Sequence, residues 1–334
     1  MLTLQDPLMP TRRQIARYFG AATLFPMALK PIRAAPANWQ EQSIQTPDGP
    51  LAYAQAGQGP LLVLLPGGPG GSGWALRHWA EPLTDHLTVL ILDPIGRGRS
   101  ARLIDPRGYT LARDAHDLER LRQHLGQQRL TVYGHSYGGL MAQAWAVAHP
   151  ERVRGLILGN TVHGARDWQA QLERCKTQVQ GQHPQLWTQW LAERAQGLRS
   201  DRAEFDALLG PCLEPLYWHD LSLRSRKAPP SPQPERDRLN RQVYLAMLGD
   251  DPEWRIGGAL AGVEMLPQLA RINAPALVFS GRSDRICPPA STLEMAAALP
   301  QAQAHVFEHS GHRPFIEAAE AWARRVREFV LSQS

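Results

Sequence analysis

Cysteine is scarce in this chain. Three occur in 334 residues, Cys175, Cys212 and Cys287, and none shows the C-x-x-C spacing of a zinc or dithiol redox motif. No metal or other cofactor is therefore expected. In an oxidising compartment two readings stand open, one disulfide between Cys175 and Cys212 in the polar middle of the chain, or three free thiols. A membrane-length apolar run is missing too. The stretch YFGAATLFPMAL at 18–29 contains Pro26 and is only twelve residues long, whereas a spanning helix needs about 20. Nothing further along approaches that length, so no stable membrane insertion of the body is expected. The body also lacks an excess of charge. The formal net charge is +5, but Arg12, Arg13, Arg17, Lys30 and Arg33 stand against Asp6 alone within residues 1–37. Removing that segment leaves one surplus positive charge, too little to draw a nucleic-acid partner.

The basic start reads as an address. TRRQIAR (11–17) precedes the apolar run, and KPIRAAPA (30–37) follows it with small residues, Ala35 and Ala37 fitting an A-x-A cleavage site. The Arg12-Arg13 pair resembles a twin-arginine export signal. The expectation is a signal peptide over 1–37 and a periplasmic or secreted mature chain beginning at Asn38.

From residue 43 the pattern alternates strands and helices. SIQTPDGPLAYAQA predicts a hairpin turned at Pro47-Asp48-Gly49, and LLVLL (61–65), LTVLILD (87–93), RLTVY (129–133) and VRGLILGN (153–160) are short apolar runs typical of strands buried on both faces. Leu111, Ala115, Leu118, Leu121 and Leu125 form a helical stripe that ends at Gly126. Residues 162–262 change character, rich in Trp, Gln, Arg and Pro and mostly helical in pattern, before ALVF (276–279) resumes the alternation. The fold class is α/β, a doubly wound, mostly parallel sheet over 38–161 and 263–334, with a helical cap inserted at 162–262.

The strand ends carry the chemistry. GHSYGG (134–139) places Ser136 at a strand-to-helix junction with Gly134 and Gly138 two residues to either side, the pattern of a nucleophile elbow. ALVF leads to SGRSD with Asp284, and AHVF leads to EHSGH with His312. The chain order Ser136, Asp284, His312 is the order used in α/β-hydrolases. His309 is the rival base. Asp250 and Asp251 fall in the insertion and make poor partners for it, while His135 and Cys287 read as packing.

The segments at these ends resemble those of the proline iminopeptidase-like serine aminopeptidases within the α/β-hydrolase fold. Pro66-Gly67-Gly68-Pro69-Gly70 stands where that family has H-G-G-P-G. DPIGRGRS (93–100) matches D-x-R-G-x-G-x-S, GRSDRICP (281–288) matches G-R-x-D-x-x-C-P, and Gly311-His312 is the final G-H. GGPGGSG (67–73) is similar also to secreted tripeptidyl aminopeptidases, and the chain resembles tricorn-interacting aminopeptidases as well, the match covering most of residues 43–334 but loosely in the cap. Two positions depart from the pattern, Pro66 for histidine and Ile95 for arginine. The roles expected are Ser136 as nucleophile, His312 as base and later acid, and Asp284 as the group that orients the imidazole. The backbone N–H groups of Tyr137 and of Gly68 (or Gly67) would serve as oxyanion donors. The resemblance further implies a cap glutamate gripping the substrate's free amine, with Glu253 and Glu214 as candidates. Each reads alternatively as a solvated surface carboxylate. The expected activity is release of N-terminal residues from short peptides or amino-acid amides. A carboxylesterase or lactonase on the same residues is the alternative, and a non-catalytic ligand receptor a third reading.

Overall fold

The computed structural model describes residues 37–334, so the export signal expected over 1–37 lies outside the described residues apart from Ala37. Eight strands form one sheet: β1 (Gln40–Thr46), β2 (Gly49–Ala56), β3 (Leu61–Leu65), β4 (Thr88–Leu92), β5 (Leu130–His135), β6 (Val153–Gly159), β7 (Ala276–Gly281) and β8 (Ala302–Phe307). Their spatial order is β1-β2-β4-β3-β5-β6-β7-β8. The β1–β2 hairpin turns at Gly49, whose φ of 103° suits glycine, and β2 pairs antiparallel with both β1 and β4. All remaining neighbours run parallel.

The helices are α1 (Trp74–Ala80), α2 (Leu111–His124), α3 (Tyr137–Ala148), α4 (Ala165–Gln182), α5 (Pro184–Ala195), α6 (Ala203–Leu213), α7 (Arg241–Leu248), α8 (Pro289–Ala298) and α9 (Ala319–Ser332), besides single turns. Alternate side chains of each central strand serve opposite faces. Val63 and Leu65 join the core with Leu118 and Leu121 of α2 and Trp145 of α3, while Leu62 and Leu64 join Ala80 of α1 and Trp322, Val326 and Phe329 of α9. That two-sided burial explains why these strands are apolar at every position. Between β6 and β7, helices α4 to α6 enclose a smaller cluster of Val179, Trp190, Phe205, Leu209 and Cys212. Cys175, Cys212 and Cys287 are all buried free thiols, which settles the open question of the disulfide for this structure. Among the described residues no helix is long and apolar enough to cross a membrane.

Sheet order decides where a site can form. From β3 the chain steps outward to β4, then crosses back over β3 to β5, so winding reverses between β3 and β5. A crevice opens outside the carboxyl ends of two such strands. The register Leu65↔Gly134 brings PGGPGG, after β3, beside GHSYGG, after β5. At the far side of the sheet β7 and β8 pair up to Gly281↔Phe307, so the loops that follow them also meet.

Two glycine-to-alanine changes should have opposite signs. A Cβ on Gly281 would lie 2.1 Å from the Gly311 carbonyl oxygen and 2.3 Å from that of Ser310, so Gly281→Ala forces backbone apart and should cost about 3 kcal/mol. A Cβ on Gly181, inside α4, meets nothing within 4 Å, and Gly181→Ala should stabilise by about 0.5–1 kcal/mol. Urea unfolding midpoints check both; a wild-type midpoint for Gly281→Ala contradicts this packing.

Candidate active site

Ser136 stands between β5 and α3 with φ 54° and ψ −125°, a conformation that non-glycine residues rarely hold and that clusters at functional sites. Its neighbours explain how the turn closes. A Cβ on Gly134 would sit 2.2 Å from the Gly138 oxygen, and one on Gly138 would sit 2.3 Å from the Leu65 oxygen. The turn is fastened by the Ser136 N–H to the Gly159 carbonyl (3.1 Å) and by the Gly139 N–H and Thr161 hydroxyl to the Ser136 carbonyl (2.9 and 2.6 Å). Ser136 is partly exposed within an otherwise buried run from Leu130 to Leu140.

Asp284 and His312 meet directly. His312 Nδ1 lies 2.9 Å from Asp284 Oδ2, and both residues are buried. Asp284 Oδ2 also accepts from Asn160 Nδ2 at 2.8 Å, while Oδ1 accepts the N–H groups of Ile286 (2.9 Å) and Cys287 (2.8 Å). Four donors satisfy the carboxylate, which offsets the cost of burying it. With Asp284 an acceptor, the imidazole carries its proton on Nδ1 and keeps Nε2 free to take another. The His312 loop is clamped from its other side. The His312 N–H donates to the Tyr217 carbonyl (2.7 Å), the Tyr217 ring stands edge-on to the imidazole (centroids 5.2 Å apart), and Glu317 accepts from the Gly311 N–H (2.6 Å). His309, the rival base, is exposed with its ring against that of His219.

His135 packs its ring 5.0 Å from that of His312 and 5.0 Å from that of Phe315. Burial first, then the neighbouring His312, hold it well below the usual histidine range, so it is a neutral wall beside the imidazole.

The glycine loop after β3 faces the elbow. A Cβ on Gly67 would come within 2.9 Å of Ser136 Cβ, so the backbone passes against the serine as closely as a chain can. Gly68 has φ 60°, and its carbonyl accepts the Gly71 N–H at 2.9 Å. Asn240, at the start of α7, holds the loop from outside, with its N–H on the Gly70 carbonyl (2.8 Å) and its amide on the Gly96 carbonyl (2.7 Å).

The two cap glutamates differ in setting. Glu214 is ion-paired with Arg224 (3.7 Å) near the surface and accepts from the Trp218 indole (3.1 Å). Glu253 accepts the Tyr244 hydroxyl at 2.6 Å, and its N–H donates to Ser200 Oγ at 3.0 Å. Ser200 in turn bonds Asp251, which Arg194 grips through two contacts of 3.0 and 2.8 Å. Burial first, then the charge of Glu253, raise the Tyr217 phenol above its ordinary range and push the Cys175 thiol up to about 12. Glu253 therefore acts electrostatically on the residue whose ring touches His312.

Among the described residues one trio, Asp284, Cys287 and His312, brings metal-ligating atoms within 4.8 Å of one another. Burial pushes the Cys287 thiol well up, against the thiolate a metal takes, and both Asp284 oxygens already hold N–H donors. The trio fits proton handling better than metal binding. Residues the sequence did not single out are Asn160, whose φ of 50° aims its amide at Asp284, together with Tyr217, Asp114 and Asp117. The visible signal for the last two was an acid at successive positions of the apolar α2 stripe.

The profile describing the alpha/beta hydrolase fold matches residues 60–319. The chain is similar to the proline iminopeptidase of Heyndrickxia coagulans, 27% identical over 281 residues that cover 84% of this chain and 93% of that one. Among solved structures it is similar to the proline iminopeptidase of Mycobacterium smegmatis, with a TM-score of 0.69, 22% identity and coverage of 87% of this chain and 98% of that one. It is similar also to the enol-lactonase of Burkholderia xenovorans LB400, with a TM-score of 0.56, 21% identity and coverage of 87% and 100%. These two structural likenesses speak for the shared fold.

Below the elbow, burial and then Asp114 push the Asp117 carboxyl up to about 7. An unfolded aspartate titrates near 3.9, so between about pH 4 and 7 only the unfolded chain ionises this group and stability falls as pH rises. Asp117→Asn removes that dependence. Its stability relative to wild type should rise by roughly 1 kcal/mol per pH unit from pH 5 to 7 and level off above. Urea unfolding across that range checks it, and a constant difference between the two proteins refutes the raised pKa.

Proposed function

Because the chain belongs to the α/β-hydrolase family, we propose that it is a serine hydrolase that releases the N-terminal residue of short peptides or amino-acid amides through an acyl-enzyme. The observations that carry this reading are the 2.9 Å Asp284–His312 bond and a serine held at positive φ, whose neighbour His135 packs its ring 5.0 Å from that of His312. In the proposed reaction His312 Nε2 takes the Ser136 proton as Oγ attacks the carbonyl carbon. The oxygen, now negative, is met by the N–H groups of Tyr137 and Gly68. Collapse breaks the C–N bond, and the leaving amine takes the proton from His312. Water then repeats the sequence on the ester and frees Ser136. Asp284 stays ionised throughout and stabilises the imidazolium.

Glu253 is proposed as the anchor of the substrate's ammonium. Its attachment to a turn fixed by Arg194, Asp251 and Ser200, and its influence on Tyr217, favour it over Glu214, whose side chain lies near the surface. Similarity to proline iminopeptidases over most of the chain supports the aminopeptidase reading. A carboxylesterase or lactonase remains the second reading, favoured by Pro66 and Ile95 at positions where the aminopeptidase pattern has histidine and arginine.

Ser136→Ala and His312→Ala should each lower kcat by at least about 10⁴-fold in a folded protein, while His309→Ala leaves it near wild type. An active-site serine probe should label wild type and not Ser136→Ala; labelling of the mutant removes the nucleophile assignment.

Substrate class is tested with a free aminoacyl anilide, its N-acetyl counterpart and a p-nitrophenyl ester. Wild type should prefer the free amine, and Glu253→Gln should cost about 2 kcal/mol or more in kcat/KM on that compound alone. Equal cleavage of free and acetylated anilides would favour the esterase. Discrimination that survives in Glu253→Gln would move the anchor to another residue.

A further inference from the structure

We propose that Arg97 is a positioning residue for the oxyanion site, joined through Asp114 to Tyr137 in one buried unit that holds both proposed donors in register. This rests on the function proposed above. The guanidinium is fully enclosed, with Arg97 1%, Asp114 0% and Tyr137 2% exposed. Arg97 Nη1 and Nη2 lie 2.6 and 2.8 Å from the two oxygens of Asp114, and Nη1 also donates to the Ile95 carbonyl at 2.8 Å. The Tyr137 hydroxyl donates to Asp114 Oδ2 at 2.5 Å, and the guanidinium carbon lies 5.9 Å from the Tyr137 ring centre. Arg97 Nε donates to the Pro69 carbonyl.

These last two contacts give the unit its role. Tyr137 directly follows the nucleophile and carries one proposed donor on its own backbone. Pro69 directly follows Gly68, which carries the other. The loop Gly67-Gly68-Pro69-Gly70 has little stiffness of its own, since three of its four residues are glycine. Its placement depends on tethers, and Arg97 supplies the one that comes from inside. A buried ion pair is weak evidence for stability, because an apolar filling is often as stable. What an apolar filling cannot do is bind a loop carbonyl and a tyrosine hydroxyl through one rigid planar group. Lysine cannot either, since it lacks the fork that grips Asp114 in two places while Nε reaches Pro69.

The charges around the unit come from two elements. On α2 lie Asp114, Asp117, Arg113 and Arg120, and on the loop after β4 lies Arg97 itself. Asp117 Oδ2 accepts the Ile95 N–H at 3.1 Å, so the second aspartate supports the loop backbone and leaves the guanidinium to Asp114.

The test uses the full chain and the free aminoacyl anilide. Tyr137→Phe deletes one hydroxyl and keeps the backbone donor, and Arg97→Lys keeps charge but loses the fork. Each should lower kcat by roughly 10–100-fold with KM changed less than about threefold, as expected for donors displaced from the developing oxyanion. Combined, the two should lose less than the product of the single losses, because they disable one unit. Circular dichroism and urea midpoints establish folding. Should Arg97→Lys not fold, Tyr137→Phe alone decides. A folded variant with a lowered midpoint and wild-type kcat makes the unit merely structural and overturns the proposal. Inactive Ser136→Ala beside such a result leaves the serine-hydrolase reading standing, whereas active Ser136→Ala removes that reading itself.

Discussion

The site depends on a steric constraint at the topological switch point. Gly138, at the start of α3, lies so close under the Leu65 carbonyl that an added Cβ would be 2.3 Å from it. Gly134 lies equally close to Gly138, and Gly67 passes against Ser136. Three chain segments thus meet with no side chain between them. Only at that spacing can a short turn leave β5, present a serine outward at positive φ and enter a helix at once. The strain at Ser136 persists because the surrounding backbone, fastened through Gly159, Gly139 and Thr161, leaves it no relaxed alternative.

Around that steric frame the buried polar groups differ in how fully their neighbours answer them. Asp284 lies among four donors, and Asp114 against a guanidinium and a phenol. For His135 and Asp117 burial outweighs the partners, which for Asp117 are the Ile95 N–H at 3.1 Å and Arg120 at 3.7 Å. Each shifts toward its neutral form, in opposite directions on the pH scale and for the same physical reason. Neutral His135 beside His312 matters for the proposed chemistry. A second cation there would oppose the imidazolium that forms as Ser136 loses its proton.

Much of this was legible in the sequence, and what was legible had local causes. Continuous apolar runs marked the buried strands, and Gly134 and Gly138 marked the elbow. Asp284 and His312 could be seen to follow two late strands, and adjacency of β7 and β8 makes such ends meet. What stayed hidden depends on partners far away in sequence. Asn160 closes a strand and looks like an ordinary turn residue until β7 brings Asp284 alongside. Arg97 looks like either of the two arginines in DPIGRGRS, and only three-dimensional packing sends it inward while Arg99 pairs with Glu41 and Asp237. The acids at 114 and 117 did interrupt an apolar stripe, a local anomaly that asks for a buried cation. Nothing in the sequence says which arginine answers.

The segments between β6 and β7 were the least readable, and their packing suggests why substrate choice would reside there. They contribute to the site from two sides. Asn240 reaches Gly70 and Gly96 next to the proposed oxyanion loop, whereas Tyr217 reaches the backbone and ring of His312. Glu253 lies on a turn of the same region, held by Asp251 and Arg194, with the Tyr244 phenol on its carboxylate. That carboxylate accepts the Tyr244 hydroxyl at 2.6 Å. Under the proposed function the substrate's ammonium would pair with this carboxylate, and molecules that bring one would be favoured. Selection for a free amine would then follow from how the inserted helices are fastened to the sheet. The residues proposed for acyl transfer, set at strand ends and indifferent to what the carbonyl carries, would serve an ester or an amide equally.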